Sequence, residues 1–121
     1  MSIKQFISSV RDAFNGFSII FRSEQNFRVQ TAVSLVVLVA AVYFPLRVWE
    51  VILIILLIVM VLTMEMLNTA FEYIADLLKP RLHHYVRSIK DIMAAAVFLT
   101  ALGAGVIGFI IFLPHFLILW K

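Results

Sequence analysis

Three carboxylates and one amide recur along one stretch of the sequence at helical spacing. Glu65, Asn68, Glu72 and Asp76 are separated by three, four and four residues. At about 100° per residue they fall within roughly 80° of one face of a helix. Such a stripe needs water, basic partners or a metal ion, because carboxylates are costly to hold near a membrane without them. The spacing therefore indicates a polar site carried by one helix.

The polar stripe begins where a long apolar segment ends. Residues 48–64 are apolar except for Glu50 near the start of the run. On a soluble helix a charged stripe is usually a solvated face. Here the apolar segment favours a position at a membrane boundary, with Glu65 closest to the lipid and Glu72 about 10 Å further along the helix.

The composition indicates an integral membrane protein. The 121 residues are 64% hydrophobic and 14% charged, whereas globular chains have about 45–50% and about 25%. A chain of this size exposes a large share of its surface, so a soluble fold could not cover that much apolar material. These values argue against a water-soluble enzyme, a disordered tail and a DNA-binding module. The absence of cysteine excludes disulfides, thiolate catalysis and cysteine-based zinc sites.

The hydropathy pattern predicts an all-α integral membrane protein with three transmembrane helices, preceded by an N-terminal amphipathic surface helix. The chain forms a single domain, 1–121, with the surface helix over residues 1–22 and spans over about 27–44, 48–78 and 91–113. Phenylalanines recur along one face of the first segment, between basic residues, as expected of a helix in the membrane interface. An ordinary core-facing helix is the alternative. Residues 79–90 are expected to form a basic connection, and Pro114 to end the third span.

Basic residues are unevenly distributed about the spans, which predicts the orientation. Eight of the ten flank the N-terminal segment and the connection between the second and third spans. Arg47 and Lys121 lie on the opposite side. Because basic loops stay in the cytoplasm, we expect the N-terminus inside and the C-terminus outside. Glu24, Lys90 and Asp91 then share the cytoplasmic boundary with the polar stripe.

Small residues in the third span predict close packing of helices. Ala101 and Gly105, and likewise Ala104 and Gly108, are four residues apart. This spacing lets helix backbones approach closely in lipid. Three helices can cover little of such a surface, which favours homo-oligomerisation. Packing within one chain is the alternative.

The chemistry that suits this boundary layer is phosphoryl transfer. Carboxylates can hold Mg²⁺ against nucleotide phosphates, a further carboxylate can accept the proton of an alcohol, and basic side chains neutralise phosphate. The chain has only four glycines, three of them within residues 103–108, and lacks a Walker A or kinase glycine-rich loop. A nucleotide site here would therefore be unlike that of the soluble kinases.

Three segments resemble the signature of the prokaryotic diacylglycerol kinase family, which includes undecaprenol kinases. They are "FRSEQNFRVQ" at 21–30, "EMLNTAFEYIADLL" at 65–78 and "HHYVRSIKDIMAAAV" at 83–97. The resemblance covers nearly the whole chain. It implies a lipid kinase of the bacterial inner membrane that uses ATP and Mg²⁺. It also implies a homotrimer whose active sites are shared between subunits.

The resemblance implies roles for seven residues. Glu65 corresponds to the general base for the lipid hydroxyl, and Asn68 to the polar side chain that positions it. Glu24 and Glu72 correspond to the metal-binding pair, which also contacts the nucleotide. Lys90 and Asp91 correspond to nucleotide contacts, and Asp76 corresponds to a further acid of the same network.

Several short motifs favour one substrate branch of the family, and two other functions are alternatives to a lipid kinase. "RSEQNF", "MLNT", the paired histidines and "GFIIFLP" are closer to the undecaprenol kinase branch than to the diacylglycerol kinase branch. A small proton-coupled transporter subunit or a structural membrane protein would also carry membrane carboxylates. A transporter is expected to place an acid near the middle of a span, whereas Glu50 and Glu65 lie towards the two ends of the second.

Overall fold

The computed structural model describes residues 2–81 and 83–120, which form four helices and, over these ranges, no strand. They are α1 (Ile3–Ser23), α2 (Gln25–Tyr43), α3 (Val48–Leu78) and α4 (His83–Trp120). The predicted all-α architecture is confirmed. Lys121, which entered the prediction of orientation, lies outside the described residues.

Three of the helices are long and apolar enough to cross a membrane. They are α2, α3 and residues 83–119 of α4. The shortest, α2, has 19 residues, which correspond to about 29 Å of helix, close to the thickness of a bilayer core. The prediction of three membrane-spanning helices after an N-terminal helix is therefore confirmed.

The first helix exposes its apolar face rather than packing it on the other helices. It begins with a capping box, in which Ser2 Oγ accepts from Gln5 N–H at 3.2 Å and Gln5 Oε1 accepts from Ser2 N–H at 3.0 Å. Phe6 and Phe14 are exposed, and Ile20 is the one buried residue of the helix. This exposure supports a helix that lies in the membrane interface and argues against the core-facing alternative.

Helix α4 is longer than the sequence analysis predicts at both ends. It begins at His83, within the expected connection 79–90, and continues through Pro114 to Trp120. At its start, Val86 is buried. Near its end, Phe44 packs against Phe116, with ring centroids 5.8 Å apart. Proline removes one backbone hydrogen bond, and packing against a neighbouring helix can maintain a helix in spite of that loss.

A buried acid connects α3 with α4 at the end of the bundle far from Glu65. Glu50 is buried, and its Oε1 accepts from Arg47 N–H at 2.9 Å, which caps the start of α3. The same oxygen lies 3.8 Å from His115 Nε2. Next to this contact, Ile54 packs in the small apolar core. Glu50 therefore has a structural role, because it caps the start of α3 and joins it to α4.

Replacing Glu50 tests this capping role. We expect Glu50→Ala to lower stability by about 1 kcal/mol, because the Arg47 N–H loses its acceptor and His115 loses its partner. Glu50→Gln keeps an acceptor oxygen and serves as the matched control, with a smaller loss. Thermal unfolding of the purified protein in detergent micelles measures both. Equal stability of Glu50→Ala and the unmodified chain would contradict the role.

Candidate active site

The polar stripe on α3 extends from the interior of the bundle to its surface. Glu65 is only 1% exposed, whereas the Asp76 side chain is 58% exposed. Asn68 and Glu72 are half-buried between them. These four residues cover about 16 Å along the helix axis. A single helix face thus connects an apolar environment with water.

Glu65 presents an oxygen that lacks a hydrogen-bond donor. Within the described part of the chain, its Oε2 atom is buried without a partner, and so is Oε1 of Gln30 on α2. The Gln30 side chain lies close enough to interact with the Glu65 carboxyl group. Buried acceptors are nearly always paired in folded proteins, so Oε2 of Glu65 is a candidate acceptor for a donor on a ligand. An alcohol O–H is such a donor.

Two further carboxylates approach Glu65 from different elements. Glu24, between α1 and α2, and Glu72, on α3, are both near enough to act electrostatically on it. Asn68 Nδ2 donates to Glu72 Oε1 at 3.4 Å. Glu24 makes no side-chain capping bond to α2, and its carboxylate makes no hydrogen bond or ion pair with residues 2–81 and 83–120. This concentration of negative charge favours a bound cation.

Hard oxygen donors of this kind fit Mg²⁺, which usually takes one or two carboxylates and completes its shell with phosphate and water. Among the described residues, no group of three or more histidines and acids is close enough to hold a metal by itself. Glu24 and Glu72 could therefore hold Mg²⁺ only together with ligands from a nucleotide, from water or from another chain.

At the exposed end of the stripe, α4 meets α3 through an ion pair. Lys90 Nζ donates to Asp76 Oδ1 at 3.0 Å, and Lys79 Nζ lies 3.7 Å from the same oxygen. Asp91 is exposed and makes no ion pair among residues 2–81 and 83–120. The structure thus brings Lys90 to the stripe and leaves Asp91 beside it, facing solvent.

The sequence analysis did not identify Gln30 as a site residue. The available signal was a lone amide within the apolar segment 27–44. Its main-chain oxygen accepts from Ser34 Oγ at 2.7 Å. Only the fold shows that the Gln30 side chain faces Glu65 across the interface between α2 and α3.

An apolar cavity of about 420 Å³ opens beside Gln30, between α2, α3 and α4. Its walls include Val33, Val61 and the small residues of α4. A methyl group added at Gly105 or Gly108 would meet no atom within 4 Å. These two glycines therefore line the cavity between the helices of the chain and leave space beside their backbone.

The arrangement defines a membrane protein with an acidic site at the boundary of its apolar helices, and comparison with known proteins identifies the family. Residues 11–112 match the prokaryotic diacylglycerol kinase family. The chain belongs to this family. It is 34% identical over 112 residues to an undecaprenol kinase of Bacillus subtilis (strain 168), with 93% of this chain and 91% of the relative covered. It is 36% identical over 110 residues to a diacylglycerol kinase of Synechocystis sp., with 90% of this chain and 63% of that longer relative covered.

Gln30 can be tested as a contact of the reacting alcohol. We expect Gln30→Leu to lower kcat/KM for the lipid about tenfold, because one hydrogen bond to the reacting group is lost. Thermal unfolding is measured beside the kinetics, because leucine removes both a buried acceptor that has no partner among the described residues and the interaction of the Gln30 amide with Glu65. Ser34→Ala is the matched control one turn away and should keep full activity. Lipid kinase assays over a range of lipid concentrations measure the effect, and unchanged kinetics of Gln30→Leu would exclude Gln30 from the site.

Proposed function

We propose that this chain transfers the γ-phosphate of ATP to the hydroxyl of a membrane lipid alcohol, with undecaprenol favoured over diacylglycerol. The family and the names of both relatives support a lipid kinase. The undecaprenol kinase is covered almost completely by this chain. The observation that carries the proposal is the buried Oε2 atom of Glu65, which has no partner within the described part of the chain and lies near two other carboxylates. Such an enzyme would recycle a lipid carrier or a phospholipid precursor.

In this proposal Glu65 is the general base. The lipid O–H donates to Glu65 Oε2, and the lipid oxygen forms a bond to the γ-phosphorus. The bond between that phosphorus and the bridging oxygen of ADP breaks, and the proton passes to Glu65. Asn68, one turn from Glu65, holds Glu72 and orients the polar groups around the reacting atoms. The products are a lipid phosphate and ADP.

The nucleotide side of the site is formed by the more exposed end of the stripe. Glu24 and Glu72 are proposed to hold Mg²⁺ with phosphate oxygens of ATP. When bound, Mg²⁺ would neutralise phosphate charge and favour departure of ADP. Lys90 and Asp91 are proposed to contact the nucleotide, and Asp76 keeps Lys90 at the stripe through their 3.0 Å contact.

The active form is proposed to be a homotrimer in the bacterial inner membrane, with the N-terminus in the cytoplasm and the C-terminus outside. The resemblance to the family supports the homotrimer, and the large exposed apolar side chains of the three long helices leave surface for contacts with further chains. The distribution of basic residues supports the orientation, because it gathers the site on the side where ATP is available. In a site shared between subunits, a neighbouring chain would supply ligands beyond the acids that residues 2–81 and 83–120 bring together.

Glu65→Gln tests the general base. Glutamine keeps the size of the side chain but cannot take the proton, so we expect turnover to fall by about 10²–10⁴-fold. Binding of ATP and the oligomeric state should stay near normal. Phosphate transfer from ATP at saturating lipid, with nucleotide binding and molecular mass measured on the same sample, separates these effects. Near-full turnover would exclude Glu65 as the base, and loss of the folded oligomer would make it a structural acid.

Glu72→Gln tests the metal site. An amide is neutral and a poor ligand for Mg²⁺, so the concentration of Mg²⁺ for half-maximal activity should rise by about tenfold or more. Glu24→Gln should behave in the same way. Asp12→Asn is the control, because it removes one negative charge from the exposed face of α1, away from the site. An unchanged Mg²⁺ dependence in both glutamine variants would refute the assignment.

A further inference from the structure

A single residue connects the surface helix with the first membrane-spanning helix. Glu24 lies between Ser23, the last residue of α1, and Gln25, the first of α2. Its backbone is extended, with φ −118° and ψ 112°. Its N–H donates to Ile20 O at 2.9 Å, and its carbonyl accepts from Arg28 N–H at 3.3 Å. Because the backbone of Glu24 serves both helices, any change in the angle between them also moves its side chain.

Arg28 spans this junction with its side chain. Nη1 donates to the carbonyl of Phe21 at 2.8 Å and to that of Arg22 at 3.1 Å. Both carbonyls belong to the last turn of α1, where they have no partner within the helix. A positive charge at the C-terminal end of α1 also interacts favourably with the helix dipole. Arg28 therefore ties the first turn of α2 to the last turn of α1.

Two apolar side chains near the junction are buried. Ile20 and Phe27 are each only 4% exposed, while most of α1 lies on the surface. Beside the two backbone hydrogen bonds of Glu24, the burial of these side chains and the Arg28 contacts restrain the junction. The packing alone would allow α1 to rotate about one extended residue, since apolar contacts are not directional.

We infer that Arg28 is a positioning residue, which sets the direction of the Glu24 carboxylate by clamping α1 to α2. The inference rests on the proposed function, in which Glu24 is one of two carboxylates that hold Mg²⁺ with ATP. Arg28 does not touch the reacting groups in this role. It acts through the backbone of Glu24, and its loss should loosen the metal site without removing a ligand.

The side chain at position 28 can be varied in charge and in donor capacity. Arg28→Lys keeps the positive charge and N–H donors. Arg28→Gln removes the charge, and its shorter side chain does not reach the same carbonyls. Arg22→Gln is the matched control, because Arg22 carries the same charge at the same junction and its side chain makes no hydrogen bond or ion pair in the described ranges.

The clamp can be measured independently of activity. The chain has no cysteine, so spin labels at Ser9→Cys on α1 and Val39→Cys on α2 report a single distance. Labelled chains are diluted with unlabelled chains so that distances between subunits do not contribute. We expect Arg28→Gln to broaden the distance distribution, Arg28→Lys to broaden it less, and Arg22→Gln to leave it unchanged. An unchanged distribution in Arg28→Gln would overturn the clamp.

The effect on the site is measured by Mg²⁺ dependence at saturating ATP and lipid, together with binding of Mn²⁺–ATP. Arg28→Gln should raise the half-saturating metal concentration about tenfold, with little change in the KM for the lipid and partial recovery in Arg28→Lys. A broadened distance with unchanged metal dependence would overturn the link from Arg28 to Glu24. If Glu24→Gln also leaves the metal dependence unchanged, the proposed metal role of Glu24 fails, and the clamp is still decided by the distances.

Discussion

Glu65 holds a carboxyl group almost entirely out of water, at the end of an apolar helix, with one oxygen unpaired within the described part of the chain. An unsatisfied buried acceptor is unfavourable by about 1–3 kcal/mol. Glu24 and Glu72 add like charge to the same place. In the proposed function, the lipid hydroxyl would supply a hydrogen-bond donor for Glu65, and Mg²⁺ would balance the charge of the other two acids.

The lengths of α3 and α4 bring further polar groups to the same end of the bundle as Glu65. Helix α3 continues beyond its apolar segment to Leu78, so one face connects buried Glu65 with exposed Asp76. The early start of α4 at His83 brings Lys90 back to Asp76. At the other end of the bundle, Glu50 and His115 hold the start of α3 to α4. The end of the bundle with Glu50 and His115 thus stabilises the packing of α3 on α4, whereas the end with Glu65 brings polar groups together at the membrane boundary.

Much of this architecture could be predicted from the sequence, because hydropathy and helical spacing act locally. The stripe from Glu65 to Asp76 shares a helix face wherever that helix packs. The ends of α4 could not be predicted in the same way. Burial of Val86 and packing of Phe116 on Phe44 are contacts between distant segments, and they override the local signals of a basic connection and a proline.

The candidate site shows the same limit. Gln30 is an ordinary polar residue in the sequence. It becomes a candidate site residue because its side chain on α2 faces Glu65 on α3. The Arg28 contacts join residues six and seven positions apart, across a break between helices that spacing rules do not describe. Glu24, Lys90 and Asp91 lie on other elements and could be predicted from the level of the membrane boundary and from the resemblance to the family, whereas the contacts of Gln30 and Arg28 depend on the angle between helices.

The most direct test of the account is phosphate transfer from ATP by the purified protein in lipid nanodiscs, with undecaprenol and diacylglycerol supplied in parallel reactions. The lipid products are separated, and the phosphate on each is quantified over time. The account predicts Mg²⁺-dependent formation of a lipid phosphate, with a higher kcat/KM for undecaprenol. A preference for diacylglycerol would contradict the acceptor assignment, and hydrolysis of ATP without any phosphorylated lipid would contradict the central claim that the chain is a lipid kinase.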